Sequence, residues 1–164
     1  MAMCAEDVMQ SKVRTVSPAM SLPDLERFFL ETRVNGFPVV DEGRLVGVIS
    51  YSDIVRKLAA EQSYAEYESD YYSHIGGFEE FEPVEPLDQV AARAGARLRG
   101  TTVGDMMSRS PVTISAKDSV REIARLMVEG RIRRLPVVRD GRLVGVVASL
   151  DLVRLLADER FVEA

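Results

Sequence analysis

The chain has 164 residues, 46% of them hydrophobic and 29% charged, and a formal net charge of −5. This length supports one substantial core or two small linked ones, and the composition is that of a soluble globular protein. No apolar run approaches the ~18 residues of a membrane span, the stretch Met1–Val8 lacks the basic and apolar regions of a secretory signal, and Cys4, the single cysteine, rules out an internal disulfide or a cysteine-based zinc site; the expected location is cytoplasmic.

In chain order, Asp7-Val-Met9 leads into Thr15-Val16, which reads as a short strand, and a helix starts at Ser21. Phe37–Val40 and Leu45–Ile49 are β-rich runs joined by the hairpin turn Asp41-Glu-Gly-Arg44. A closing helix begins near Ser52. Residues 61–100 differ in character. Tyr64, Tyr67, Tyr71, His74 and Phe78 fall at three- and four-residue spacings, which extends that helix as far as the Gly76-Gly77 break. Phe78 to Pro86 reads as an extended turn and loop, and Leu87 to Leu98 as a new helical stretch. Between Glu61 and Asp88 there are nine acids and no Lys or Arg, so the rest of the chain sums to +4. Non-specific nucleic-acid binding needs a broad basic face, which this distribution does not offer. The same stretch holds six of the eleven aromatic residues, too many for a passive solvated tether.

From residue 105 the opening pattern returns. Pro111-Val-Thr-Ile114 reads as a strand, and Ser119-Val-Arg-Glu122 is a capping box opening a helix with Val120, Ile123, Ala124, Met127 and Val128 on one face. Gly130 supplies the helix stop. Leu135–Val138 and Leu143–Val147 flank the turn Arg139-Asp-Gly-Arg142, and a last helix starts near Leu150. Residues 7–58 align with 105–156 at a constant offset of 98 without a gap, and roughly two positions in five are identical. Such a duplication predicts a pseudo-two-fold module whose functional surface is the cleft between its halves. One copy alone leaves a sheet face uncovered, so the halves are expected to pack together.

The opening Asp-(Val/Met)-Met and the runs Pro38-Val-Val-Asp-Glu-Gly-Arg-Leu-Val-Gly-Val48 and Pro136-Val-Val-Arg-Asp-Gly-Arg-Leu-Val-Gly-Val146 resemble a tandem pair of CBS (cystathionine β-synthase) domains, a Bateman module. The resemblance covers both repeats and not the linker. It implies an α/β (α+β) fold of two β-α-β-β-α repeats: the first repeat at 1–60, an acidic, aromatic-rich helical linker at 61–100, and the second repeat at 101–164.

The resemblance also implies an adenosine-containing ligand (AMP, ADP, ATP or S-adenosylmethionine) in the inter-repeat cleft, no required cofactor, and no catalysis. The family's ribose motif fits Gly47-Val-Ile-Ser50-Tyr-Ser-Asp53, where a hydroxyl and a carboxylate one turn apart at a helix start can meet vicinal ribose hydroxyls. The second copy keeps Asp151 but has Ala148 in place of the serine. The same Ser-x-x-Asp is also a capping arrangement that needs no ligand. Phosphates are assigned by the resemblance to basic residues before the hydrophobic-Pro pair. Here these are Arg133 and Arg134, against Asn35 and Gly36 in the first copy; arginine's planar fork suits phosphate, although solvated strand-end charge explains the pair equally. Phe37, Pro38, Leu135 and Pro136 are candidate walls for the base and equally strand-core residues. Thr15-Val16 and Thr113-Ile114 resemble the segments whose backbone meets the base edge. The divergence of the copies favours one dominant site using Ser50 and Asp53, with the Asp151 cleft secondary.

No phosphate-binding loop, dinucleotide fingerprint or His-x-x-x-His pair is present, and His74 is the only histidine. Two readings follow. One is a stand-alone regulatory or energy-sensing module that binds an adenylate and modulates a partner protein. The other is a constitutive homodimeric scaffold without nucleotide sensing. In both, a homodimer is expected, with no nucleic-acid or membrane partner. The aromatic linker either packs on the module or covers the nucleotide cleft as a regulatory segment.

Overall fold

The computed structural model describes residues 3–59, 69–72, 85–93 and 98–158. The first repeat comprises α1 (Ala5–Val8), α2 (Leu22–Thr32), β1 (Gly36–Asp41), β2 (Arg44–Ser50) and α3 (Tyr51–Ala59). A 3₁₀ turn (Asp70–Tyr72) and α4 (Leu87–Arg93) follow. The second repeat comprises α5 (Val103–Met106), β3 (Ile114–Ser115), α6 (Val120–Gly130), β4 (Arg134–Arg139), β5 (Arg142–Ala148) and α7 (Ser149–Ala157).

Local chemistry accounts for most of these boundaries. At the start of α6 the Ser119 hydroxyl accepts from the Glu122 N–H at 3.2 Å, while the Glu122 carboxylate accepts from the Ser119 N–H at 3.1 Å. At α2 the Ser21 hydroxyl accepts from the Asp24 N–H at 3.2 Å and donates to the Asp24 carboxylate at 2.7 Å, without the return bond to the Ser21 N–H. Both hairpin turns place two successive residues at positive φ, Glu42 and Gly43 in one and Asp140 and Gly141 in the other. This is the geometry whose twist matches the flanking strands.

Several expectations are corrected. Gly130 is the last residue of α6, and the left-handed turn falls on Arg131 at φ 53°, as it falls on Arg33 after α2. A Cβ at position 130 would meet only the Ile132 side chain, its Cδ1 at 2.9 Å, which can shift aside. Val128 is 78% exposed rather than on the buried face; at about 100° per residue it lies well round the helix from Met127. Thr15-Val16 forms no strand, only a parallel bridge from Val16 to Val39. In the second repeat the strand falls at Ile114–Ser115 rather than from Pro111. Leu98 lies outside any helix. Tyr64, Tyr67, His74, Phe78 and the Gly76-Gly77 break lie outside the described residues.

The sheet order is β1-β2-β5-β4-β3. β1 and β2 pair antiparallel from Gly36↔Ser50 to Asp41↔Arg44, and β4 and β5 repeat this from Arg134↔Ala148 to Arg139↔Arg142. The two hairpins meet only at their tips, through Arg44↔Arg142. Each repeat has its own core, one around Leu22, Phe29, Phe37 and Ile49, the other around Ile114, Ile123, Leu135 and Val147.

The opening helices are exchanged. Ala5 is fully buried in the second core, and its N–H donates to the Asp118 carbonyl at 2.9 Å. Val103 and Met107 are buried in the first core, and the Val103 N–H donates to the Met20 carbonyl at 2.9 Å. Past these helices, Gln10 bridges to Val146 and Ser108 to Val48. The repeats are thus interlocked, and α4 adds Leu87, Val90 and Ala91 to the first core.

Candidate functional site

The offset of 98 yields two pseudo-equivalent clefts, each beside the end of one hairpin and the start of the helix that follows it. They are not in the same state.

The first cleft contains the ribose-type pair. β2 ends at Ser50, whose hydroxyl accepts from the Asp53 N–H at 3.1 Å, so it caps α3. Asp53 is 3% exposed. One carboxylate oxygen accepts from the Ser69 hydroxyl, and the other lies 3.5 Å from the Arg56 guanidinium. The residues after Ser69 fill the space beyond. Tyr71 is 1% exposed, and its Cδ2 stands 3.0 Å from where a Cβ on Gly36 would be, so only glycine lets β1 approach the ring this closely. The Tyr72 hydroxyl accepts from the Val112 N–H at 2.6 Å, and its carbonyl accepts from the Arg133 N–H at 2.8 Å. The two rings meet edge to face with centroids 5.5 Å apart and form a small cluster with Val48 and Ile132. Burial pushes the Tyr71 hydroxyl up to about 12, against the opposing influence of the nearby Arg134 cation.

The second cleft is open. Its cavity, about 210 Å³, lies between Gly36, Phe37 and Pro38 of β1 and Arg134, Val146 and Ala148 of β4 and β5. Lys12 and Arg14 line it from the segment that follows α1. Three cations therefore border one concavity, and none of its lining residues is a carboxylate. Asp151 is buried beside it: one carboxylate oxygen accepts from the Ala148 N–H at 2.8 Å, the other from the side chain of Gln10 at 3.1 Å. That first bond gives α7 a cap without a serine, because the aspartate reaches back to the backbone.

The structure thus brings Gly36, Phe37, Pro38 and Arg134 together at the open cavity, and places Ser50 and Asp53 in the other cleft under Ser69. Arg133 is exposed. Thr15 is exposed, and the buried Val16 donates its N–H to the Pro38 carbonyl at 3.1 Å. Ile114 and Leu135 are buried in the second core, Thr113 is half-buried, and Pro136 is buried opposite Val146. Lys12, Arg14, Gln10 and Tyr71 were not foreseen as site residues. A signal for two of them was present: the offset partners of Lys12 and Arg14 are Ser110 and Val112, so the copies differ in charge there. Among the described residues no group of three or more His, Cys, Asp or Glu is placed to hold a metal ion, and no helix is long and apolar enough to cross a membrane.

The profile of the CBS domain matches residues 5–60 and 103–158. The chain therefore belongs to the CBS domain family, as a tandem pair. It is 29% identical to CBS domain-containing protein CBSX1, chloroplastic, of Arabidopsis thaliana over 144 residues, covering 87% of this chain and 58% of that protein. It is 30% identical to MJ1426 of Methanocaldococcus jannaschii over 168 residues, covering 94% and 91%. The crystal structure of CBSX2 in complex with AMP, a protein also from Arabidopsis thaliana, superposes with a TM-score of 0.65 at 27% identity over 96% of this chain and 98% of that one. The chain spans about three fifths of the length of CBSX1 and CBSX2.

Proposed function

We propose that this CBS pair is a regulatory module that binds a phosphate-bearing adenosine ligand in the open cavity and acts through a partner, without chemistry of its own. The observation that carries this reading is the convergence of Lys12, Arg14 and Arg134 on one concavity floored by Gly36–Pro38. Cations around a partly desolvated pocket favour a phosphate, and an apolar strand end favours a flat base. The AMP complex of CBSX2 supports the ligand class. This assigns the dominant site to the Asp151 side, the reverse of the order the ribose motif suggests. Calorimetry with AMP, ATP and S-adenosylmethionine tests it on the wild type and on Lys12→Ala/Arg14→Ala. AMP is expected to bind the wild type and to lose affinity in the double variant; unchanged affinity would refute the assignment.

A second reading, a constitutive homodimer, draws on apolar side chains left exposed on neighbouring helices, Val128 on α6 and Val153 and Leu156 on α7. Sedimentation of the wild type and Val153→Glu with and without AMP separates the two readings, since a pure scaffold dimerises without responding to the nucleotide.

A further inference from the structure

The chain fills one of its two pseudo-equivalent clefts with its own residues. Ser69 places an alcohol on the Asp53 carboxylate, Tyr71 inserts a flat ring between Gly36 and the Arg134 guanidinium, and Tyr72 sets a polar atom on the Val112 N–H. An alcohol on a carboxylate, a ring against a strand end and an acceptor on a backbone N–H are the contacts a nucleoside offers. All three come here from four consecutive residues of the linker. The offset partners of Val48, Ser50, Val112 and Ile132 in this filled cleft are Val146, Ala148, Arg14 and Val34, and those four line the open cavity. The same architecture is therefore present on both sides, with an occupant on one.

We propose that Ser69–Tyr72 is a built-in ligand of the Asp53 cleft, so that a free nucleoside enters that cleft only by displacing it. A segment tethered by the unbroken chain competes at an effective concentration on the order of mM. A free ligand's apparent affinity for the cleft falls by the fraction of molecules in which the segment is out. Asp53 keeps the chemistry of a ribose site while being unavailable at low ligand concentration. This inference rests on the reading that the pair binds adenosine-type ligands.

The test counts AMP and adenosine bound per full-length chain by equilibrium dialysis. The wild type is expected to bind one AMP, whereas Ser69→Ala/Tyr72→Ala, which leaves the Tyr71 ring at the open cavity in place, is expected to bind two, the second lost again when Asp53→Asn is added. Because this change removes a buried ring and can unfold the chain, Ser69→Ala/Tyr72→Phe keeps both rings and removes only two hydrogen-bonding oxygens. It is expected to strengthen the second site roughly tenfold or more. The wild-type count tests the earlier reading, and the rise from wild type to variant tests this one. No binding to the wild type with a rise of one in the variants upholds the built-in ligand and overturns the open-cavity reading. Two sites in the wild type, or no gain in Ser69→Ala/Tyr72→Phe, overturns the built-in ligand.

Discussion

The Arg134 guanidinium lies 5.5 Å from the centroid of the Tyr71 ring, and both residues also line the open cavity. One cation therefore borders the open cavity and also lies over the Tyr71 ring. On the proposed reading, a phosphate drawing on Arg134 is expected to change the environment of Tyr71, and linkage makes such an effect reciprocal.

Arg134→Met is expected to weaken AMP binding roughly 10- to 100-fold, the usual cost of removing a charge-assisted hydrogen bond. Adenosine, which has no phosphate, is expected to change much less. Calorimetry with the two ligands side by side measures the difference, and equal losses would place the phosphate away from Arg134.

Tyr71 predicts an alkaline signature. Its hydroxyl titrates near 12 in the folded chain because burial disfavours the phenolate, against an ordinary value of 10. The folded state therefore holds this proton more tightly than the unfolded state. The associated stability is fully present below pH 10 and is lost as pH rises through about 12. The loss is on the order of 2–3 kcal/mol. Urea midpoints from pH 8 to 12 are expected to fall more steeply for the wild type than for Tyr71→Phe.

The glycines of the Gly-hydrophobic-x-(Ser/Ala) motif serve packing. A Cβ on Gly47 would stand 2.5 Å from the Ser108 carbonyl oxygen, where the exchanged second-repeat segment crosses β2. A Cβ on Gly145 would first meet the Met9 sulfur at 2.5 Å, a flexible side chain, and then the Gln10 carbonyl at 3.0 Å. Gly47→Ala is therefore expected to cost about 1–3 kcal/mol and Gly145→Ala less, because methionine yields where a bridged backbone does not. Thermal melts of the two variants check the order.

Ser119→Ala removes the hydroxyl that caps α6 while leaving Glu122 in place. The expected loss is about 1 kcal/mol, read as a shift in the urea midpoint. Threonine at 119 is expected to recover most of it, because the acceptor oxygen returns.

The repeat, the starts of α2, α3, α6 and α7 and both hairpin turns are legible in the sequence, the turns and helix starts because each is decided within three or four residues, whereas the four-residue helices α1 and α5 are not. Ser119 finds Glu122, Ser21 finds Asp24, and Asp140-Gly141 adopts its turn whatever lies beyond it. Local reading failed where one residue type serves two physical ends. Gly130 reads as a left-handed cap, yet the left-handed residue is Arg131, and Ser50 with Asp53 reads either as a ribose motif or as a cap, of which the local sequence shows the cap and not the Ser69 hydroxyl on the carboxylate.

Only the tertiary structure decided which core takes each opening helix and which cleft stays open. Ala5–Val8 and Val103–Met106 share only the Asp7/Asp105 position, and each offers one short apolar residue at its start, Ala5 or Val103, whose burial in the other repeat's core is a contact between residues far apart in the chain. The two clefts depend on residues distant in the chain: Lys12 and Arg134 line one cavity, and Ser69 reaches Asp53 sixteen positions back. Composition showed an acidic, aromatic linker between two diverged copies. Its seating in the cleft with the better ribose motif, leaving the more basic cleft free, follows from packing that exists only once both repeats are folded together.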